Sequence, residues 1–525
     1  MSRKSTLALS LAVVCAFLFS SFAAAQSTSL DEQLQAALDQ ARFTGTVGIS
    51  IEQRLGRPID RKLASLGRLL FFDNVGSLHN DNTCGGCHSP ATGFGDSQSI
   101  AIGVQNNGRV GPNREGPRNQ RRAPTVANTA FFPKLMWNGR FSAPSGDPFD
   151  NSQGFLFPAP EGSTEFPPFD PIVTHLLSAQ GHLPFTELVE QSGFTGTAGT
   201  IGPEFDQFDD GQGAIVPPPD ASGFRNEPIR QVVLGRLNGI QTYRALFGEI
   251  FPEVAAGAPI DFTMVGRAIA EFEFTLVFAD APIDRFARGD LQAMTVPQKE
   301  GALVFFGNGR CVSCHAVAGQ SNEMFSDFQM RVIGVPQIAP FFGVGMGNVS
   351  FDGYDRDQDF GLEQLTGDPA DRYKFRTSPL RNVALQPAFF HNGAFTRLED
   401  AIRHHLDVAA SARSYNPISA GVDRDLAVRP CPIEPILERI DPLLATPIDL
   451  AADEFNNLVA FVRDGLLDKR AIKQSLCELV PTAVPSGFPV ARFEECPQRR
   501  GGPRHVTASA DEGSRNGPRR RLAAR

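Results

Sequence analysis

The strongest constraint on this chain is a five-residue pattern that occurs twice, as CGGCH over residues 84–88 and as CVSCH over residues 311–315. In each copy two thiols are separated by two residues and followed at once by a histidine. That spacing lets both sulfurs reach one edge of a porphyrin while the adjacent imidazole turns under the ring, the arrangement of covalent c-type haem attachment. A zinc site or a redox dithiol is the competing use of a Cys-X-X-Cys pair. Structural zinc pairs lie much closer together than the 227 positions between Cys84 and Cys311, and neither alternative explains a histidine after both pairs. The pattern predicts two haem c groups, one on Cys84, Cys87 and His88 and one on Cys311, Cys314 and His315, far enough apart for each to anchor its own domain.

At 525 residues the chain exceeds what one hydrophobic core usually organises, and a hydrophobic fraction of 41% is ample for two. Residues 1–25 read as an export signal. Arg3 and Lys4 supply positive charge, LALSLAVVCAFLF is an apolar run too short to span a bilayer comfortably, and AAAQ offers a cleavage site after Ala25. No second apolar stretch follows, so an exported, periplasmic protein without stable membrane insertion is expected. Cleavage removes Cys15. Outside the two patterns Cys431, Cys477 and Cys496 remain, which permits one disulfide and one odd thiol, with the pairing open. The formal charge of −9, with basic residues gathered mainly in the final tail, argues against nucleic acid as a partner.

The organisation is mainly α, with helices strung between long Gly- and Pro-rich loops and no stretch that demands a sheet. From Asp261, a predicted N-cap, Phe262, Val265, Ile269, Phe272 and Leu276 recur at helical steps. Thr295 and Gln298 have capping-box spacing around Pro297, which predicts a helix running toward Cys311. Phe455, Leu458, Val459 and Val462 repeat the pattern near the end. Gly202 to Pro228 reads as a long surface loop, and APIDRFARGD as the connector between two halves. The resulting division is an N-terminal haem domain over residues 26–280, a C-terminal haem domain over 281–496 with its boundary near Ala281, and a disordered basic tail over 497–525.

The sixth ligand decides whether a haem carries electrons or binds oxygen species. His405 is the candidate at one iron: in LEDAIRHHLD it shares a face with Leu398, Ala401 and Ile402, whereas His404 points about 100° away. Met324, Met330 and Met346 are rival ligands with no spacing argument between them.

Together with both CXXCH motifs, the segments LGRLLFFD, RRAPTVANTAFFPKLMWNGR, GRAIAEFEFTL, PIDRFARGD, FRTSPLRNVALQPAFFHNGAF and LEDAIRHH make the chain resemble the bacterial di-haem cytochrome c peroxidases and the MauG-like di-haem enzymes. The resemblance implies two cytochrome c-like helical domains. It implies that the N-terminal haem reacts with hydrogen peroxide and that the C-terminal haem takes electrons from a small donor such as a cytochrome c or a copper protein. Trp137, in WNGR, matches the family's relay tryptophan between the haems. Glu190 in LPFTELVEQSG matches the distal carboxylate that moves a proton between the peroxide oxygens, in preference to Glu187, although Gln191 replaces the usual methionine. Val104 stands where peroxidases needing reductive activation carry a blocking histidine, which implies an open first haem unless His79, His175 or His182 swings in.

At the second haem the resemblance implies Met or Tyr, where this chain offers His405. Bis-His ligation lowers the potential relative to His/Met. His391, in FFHNG, matches a structural histidine near the domain interface. The family's calcium ion uses an asparagine and a TAP-like segment; Arg122 and LQPAFF stand there instead, which leaves calcium only backbone carbonyls. Family members are often dimers, so a homodimer is an expectation of the resemblance. The expected activity is peroxide reduction; a MauG-like oxidase acting on a protein or organic substrate, and a non-enzymatic electron carrier, are the alternatives.

Overall fold

The computed structural model describes residues 29–200, 205–340, 343, 358–426 and 432–497. The export signal, Met346, Cys431 and the tail beyond residue 497 lie outside them. Seven helices position the site: α1 (Leu30–Ala41), α2 (Arg61–Phe72), α3 (Asn226–Gly239), α4 (Phe262–Phe274), α5 (Val296–Phe306), α6 (Leu398–Leu406) and α7 (Ala452–Ala460). Strand structure among the described residues is confined to three two-residue pairs: β1 (Arg109–Val110) parallel to β6 (Arg492–Phe493), and antiparallel β2–β3 (Lys134–Leu135, Phe141–Ser142) and β4–β5 (Met330–Arg331, Phe375–Arg376).

Helix starts follow the side chains that satisfy their first N–H groups. Asp261 accepts the Met264 N–H at 2.9 Å and opens α4. Thr295 and Gln298 form a reciprocal capping box on α5, which ends at Phe306, a turn before Cys311. The α4 stripe of Phe262, Val265, Ile269 and Phe272 is buried, and the helix stops at Phe274.

The two halves repeat one packing unit. In each, the helix that precedes the haem motif carries Gly-X-Leu-X-Phe-Phe: Gly67 to Phe72 on α2, Gly301 to Phe306 on α5. A Cβ on Gly67 would collide with the Ala268 carbonyl of α4, and one on Gly301 with the Asn457 carbonyl of α7. The missing side chains let backbones touch at both crossings. The first phenylalanine of each pair then reaches the motif histidine. Phe71 lies 6.5 Å from His88 and 5.3 Å from Phe272; Phe305 lies 6.5 Å from His315 and 5.4 Å from Phe461, all ring centroid to ring centroid.

The ends of the chain pack across the expected boundary near Ala281. Leu34, Leu38 and Phe43, in and after α1, are buried with Phe286, Phe305, Leu458 and Phe461 of the C-terminal half. The Glu323 carboxylate holds this segment by accepting the Thr44 N–H at 2.6 Å and the Val47 N–H at 3.3 Å. At the other end, Ala471, Leu476 and Phe493 pack with Phe71, Phe72 and Phe272 of the N-terminal half, where β6 pairs with β1. A Cys477–Cys496 disulfide closes this returning segment, which settles the pairing left open by the sequence. In the connector, Asp284 receives both arms of Arg381 at 2.7 and 2.8 Å with both side chains buried.

The segment expected as a surface loop up to Pro228 is shorter and better anchored than its composition implies. Helix α3 begins at Asn226, and Phe205, Phe208 and Val216 are buried. Pro228 is tolerated there because the first helical turn has no intrahelical acceptor for its N–H.

Because Gly301 is in backbone contact with α7, Gly301→Ala is expected to destabilise the protein by at least about 1–3 kcal/mol. Urea denaturation followed by far-ultraviolet circular dichroism checks this; a midpoint equal to wild type would mean the crossing is loose.

Candidate functional site

Each CXXCH motif lines a large cavity. The first begins where Thr83 accepts the Gly86 N–H at 3.0 Å and caps a single turn, Cys84–Cys87. His88 follows at its end, with Nδ1 2.8 Å from the Pro124 carbonyl. A carbonyl only accepts, so Nδ1 carries the proton and Nε2 keeps a lone pair. Burial holds the imidazole neutral by lowering its pKa to about 4. Burial also pushes the Cys84 and Cys87 thiols up, to about 12 and about 11. The empty volume, about 1560 Å³ including its mouth to solvent, is bordered by Glu187, Glu190, Arg140 and Glu273 as well as the motif.

Glu187 is ion-paired with Arg140. Glu190 lies in the π-helical turn Leu188–Ser192, and its backbone carbonyl accepts the Asn82 side-chain N–H at 2.6 Å. Burial, reinforced by the Glu187 charge and opposed by Arg140, raises the Glu190 pKa to about 8. Three carboxyl groups, the arginine-paired Glu187 and the raised Glu190 and Glu273, thus border one cavity among the described residues. The Glu187–Arg140 pair and the second buried acid, Glu273, raised to about 8 by desolvation, were not singled out from sequence, although Arg140 ends the WNGR motif.

The second cavity has an empty volume of about 1880 Å³ and holds Cys311, Cys314, His315, His391 and His405 on its walls. His315 Nδ1 lies 2.9 Å from the Phe325 carbonyl, and His405 Nδ1 lies 2.8 Å from Ala401 O one turn back on α6. Both rings therefore present Nε2. Their centroids are 6.0 Å apart. That is close to the roughly 6 Å needed for one metal between two imidazoles, each about 2 Å from it. His404 is occupied differently: Nδ1 is 3.1 Å from Ser411 Oγ and Nε2 is 2.9 Å from Ile333 O, so both nitrogens are spent on the fold. Met324 is buried in the core beside the first cavity, and Met330 belongs to β4; neither lines the second cavity.

Trp137 borders both cavities, as do Arg122, Pro124, Thr125, Phe132 and Arg376. Its indole N–H donates to the Arg122 carbonyl at 2.8 Å, and its own carbonyl accepts the Arg376 N–H at 2.8 Å. One bond fixes the ring and the other its backbone, in the wall common to both cavities.

His88 is the one histidine among the described residues bordering the first cavity. Val104 is buried in an apolar cluster with Phe194, Phe205 and Phe208, away from the cavity wall. The other candidates to close the site are tied elsewhere: His79 to Ala214 O at 2.9 Å, His182 to Ser178 O at 2.9 Å, and His175 to Ala130 O and the Leu177 N–H, both at 3.1 Å. His391 stacks on Phe375 with centroids 3.6 Å apart and its Nε2 lies 4.0 Å from Asp359. At the place where the resemblance leaves room for calcium, the Arg122 guanidinium donates to Ala388 O, Asp96 O and Gln386 Oε1. Those oxygens serve a fixed organic cation instead.

Residues 61–292 match the family model described as di-haem cytochrome c peroxidase. The chain is 26% identical over 347 residues to cytochrome c551 peroxidase of Pseudomonas aeruginosa, covering 66% of this chain and 72% of that protein. It is 24% identical over 367 residues to the methylamine utilization protein MauG of Methylophilus methylotrophus, covering 70% and 78%. Among solved structures, a MauG-like protein associated with microbial copper homeostasis superposes with a TM-score of 0.50 at 20% identity, over 79% of this chain and 91% of that one. That likeness supports the same mainly helical fold.

The contrast between neighbouring histidines makes a sharp test. On haem-loaded protein, His405→Ala is expected to abolish the low-spin ferric signal of the second haem, while His404→Ala leaves its ligation unchanged and lowers stability. Electron paramagnetic resonance reads the first effect; an unchanged low-spin signal in His405→Ala would exclude that residue as a ligand.

Proposed function

We propose that this relative of the di-haem cytochrome c peroxidases reduces hydrogen peroxide to water at the first cavity, with electrons entering through the second from a small soluble redox protein. One observation carries the reading: the first cavity is bordered by a single imidazole beside a raised carboxyl group, whereas the second presents two imidazoles 6.0 Å apart. The first leaves a coordination place for a reactant and the second closes its own.

Haem c fits both cavities. Cys84, Cys87 and His88 would hold one group, and Cys311, Cys314, His315 and His405 the other. When bound, the haems would together supply the two electrons that cleave the O–O bond and would regain them one at a time from the donor. The chain supplies the rest. Pro124 O and Phe325 O keep the motif histidines in the tautomer whose Nε2 can ligate. Glu190 takes the proton from the nearer peroxide oxygen and returns it to the departing one, so that it leaves as water. Arg140 pairs with Glu187, and the Glu187 charge favours a proton on Glu190 while Arg140 opposes it. Trp137, in the wall common to both cavities, provides the path between them. The repeated glycine-crossing units form the two cytochrome c-like domains of this reading. Thioether attachment outside the cytoplasm agrees with the export signal read at residues 1–25, and no helix among the described residues is long and apolar enough to cross a membrane.

Stopped-flow absorbance of the oxidised, haem-loaded protein mixed with hydrogen peroxide tests the reading directly: a fast Soret change is expected without prior reduction. Glu190→Gln is expected to slow it by about 10²–10⁴-fold. As the proton acceptor, Glu190 must be ionised. With its pKa raised to about 8, the wild-type rate should climb with pH through that value, and the Gln variant should lose the climb. A wild-type protein that is spectrally silent toward peroxide, even after one-electron reduction, would leave only the electron-carrier alternative. Steady turnover with a reduced cytochrome distinguishes a peroxidase from a MauG-like oxidase, whose oxidised state outlasts the donor. Trp137→Phe should leave the first spectral change intact and slow the subsequent oxidation of the second haem; equal rates for both phases would remove Trp137 from the path.

A further inference from the structure

Arg376 is a buried cation with no counter-charge in ion-pair distance among the described residues. Its side chain is 4% exposed, Nε donates to Met136 O at 3.1 Å, and Nη1 has no hydrogen-bond partner among the described residues. The guanidinium lies 5.7 and 5.5 Å from the centroids of Phe132 and Phe328, and it borders both cavities. Arg122, buried in the same wall, donates to the backbone carbonyls of Ala388 and Asp96 and to Gln386 Oε1, with the Asp96 carboxylate as its neighbouring opposite charge. Burying a charge is costly unless an opposite charge meets it. A planar guanidinium fork is shaped for a carboxylate. With no carboxylate in ion-pair distance among the described residues, and with its guanidinium bordering both cavities, Arg376 is placed to meet an anion carried by what fills them.

We propose that Arg376, backed by Arg122, is a shared cationic clamp for the propionate carboxylates of both haems. The two arginines bracket the relay candidate, Arg122 through its carbonyl to the indole N–H and Arg376 through its backbone N–H to the Trp137 carbonyl. The clamp therefore registers each haem edge against Trp137. It also links the two centres electrostatically, since one fixed positive charge disfavours the oxidised, more positive state of both.

This rests on the proposal that each cavity holds a haem, and the test separates the two. Haem content is measured first by the pyridine haemochrome assay; fewer than two haems per wild-type chain overturns that underlying reading. With two haems present, spectroelectrochemical titration of Arg376→Gln is expected to show both midpoints lowered, each by at least a tenfold change in the reduced-to-oxidised ratio at fixed potential, about 59 mV for one electron. Arg376→Lys, which keeps the charge, should stay near wild type in potential. Midpoints unmoved, or only one moved, overturn the shared clamp. Should the Gln variant fail to fold, resonance Raman spectra of Arg376→Lys decide: the propionate bending bands of both haems are expected to shift, because an ammonium cannot reproduce the fork, and unchanged bands overturn the proposal.

Discussion

The structure depends on two places where a helix backbone lies directly on another helix. At Gly67 against Ala268 and at Gly301 against Asn457, no side chain separates the chains, and the following Phe-Phe pair is driven as a wedge toward the motif histidine. Close contact of this kind is rigid, because dense interiors offer no cheap way to slide. The histidine it supports inherits that rigidity, and with it the place where a ligating nitrogen can stand.

Inside these shells, the protein handles charge by the tautomer chosen for each imidazole. His88, His315 and His405 all donate from Nδ1 to a backbone carbonyl, so Nε2 is left toward the cavity, while His175 and His404 use both nitrogens and belong to the packing. Desolvation keeps them neutral. The carboxyl groups bordering the first cavity divide in the same spirit: Glu187 has an arginine partner, and burial pushes Glu190 and Glu273 toward their protonated forms.

Local signals made part of this legible from sequence. The CXXCH spacing, the Thr295 capping box and the position of His405 on the inner face of its helix are all short-range patterns, and the structure places each where helical geometry requires. What escaped is long-range. The Gly-X-Leu-X-Phe-Phe repeat was present in the residues, but its meaning lies in partners some two hundred positions away on α2 and α4, or about one hundred and fifty on α5 and α7. The loop before α3 reads as solvated because Pro, Gly and Asp dominate it; two phenylalanines suffice to anchor it. Arg376 gives no sign in sequence of being a buried cation with no carboxylate beside it among the described residues, since that is a property of everything that surrounds it. The Cys477–Cys496 disulfide likewise follows from where the chain returns, and counting cysteines leaves three choices.

The crossed packing of the two chain ends has a consequence for how such a protein is made. Emerging from N to C, the chain presents CGGCH early, yet the wall behind it is incomplete until Phe493 arrives to cover Phe72 and β6 adds to β1. Meanwhile the apolar partners of α1, the first described helix, lie in the C-terminal half, Phe286, Phe305, Leu458 and Phe461 among them. The first motif in the chain is thus enclosed by a residue near its end. Each half completes its core with residues from the other end of the chain, so Cys84 and Cys87 are walled in only once that end is in place.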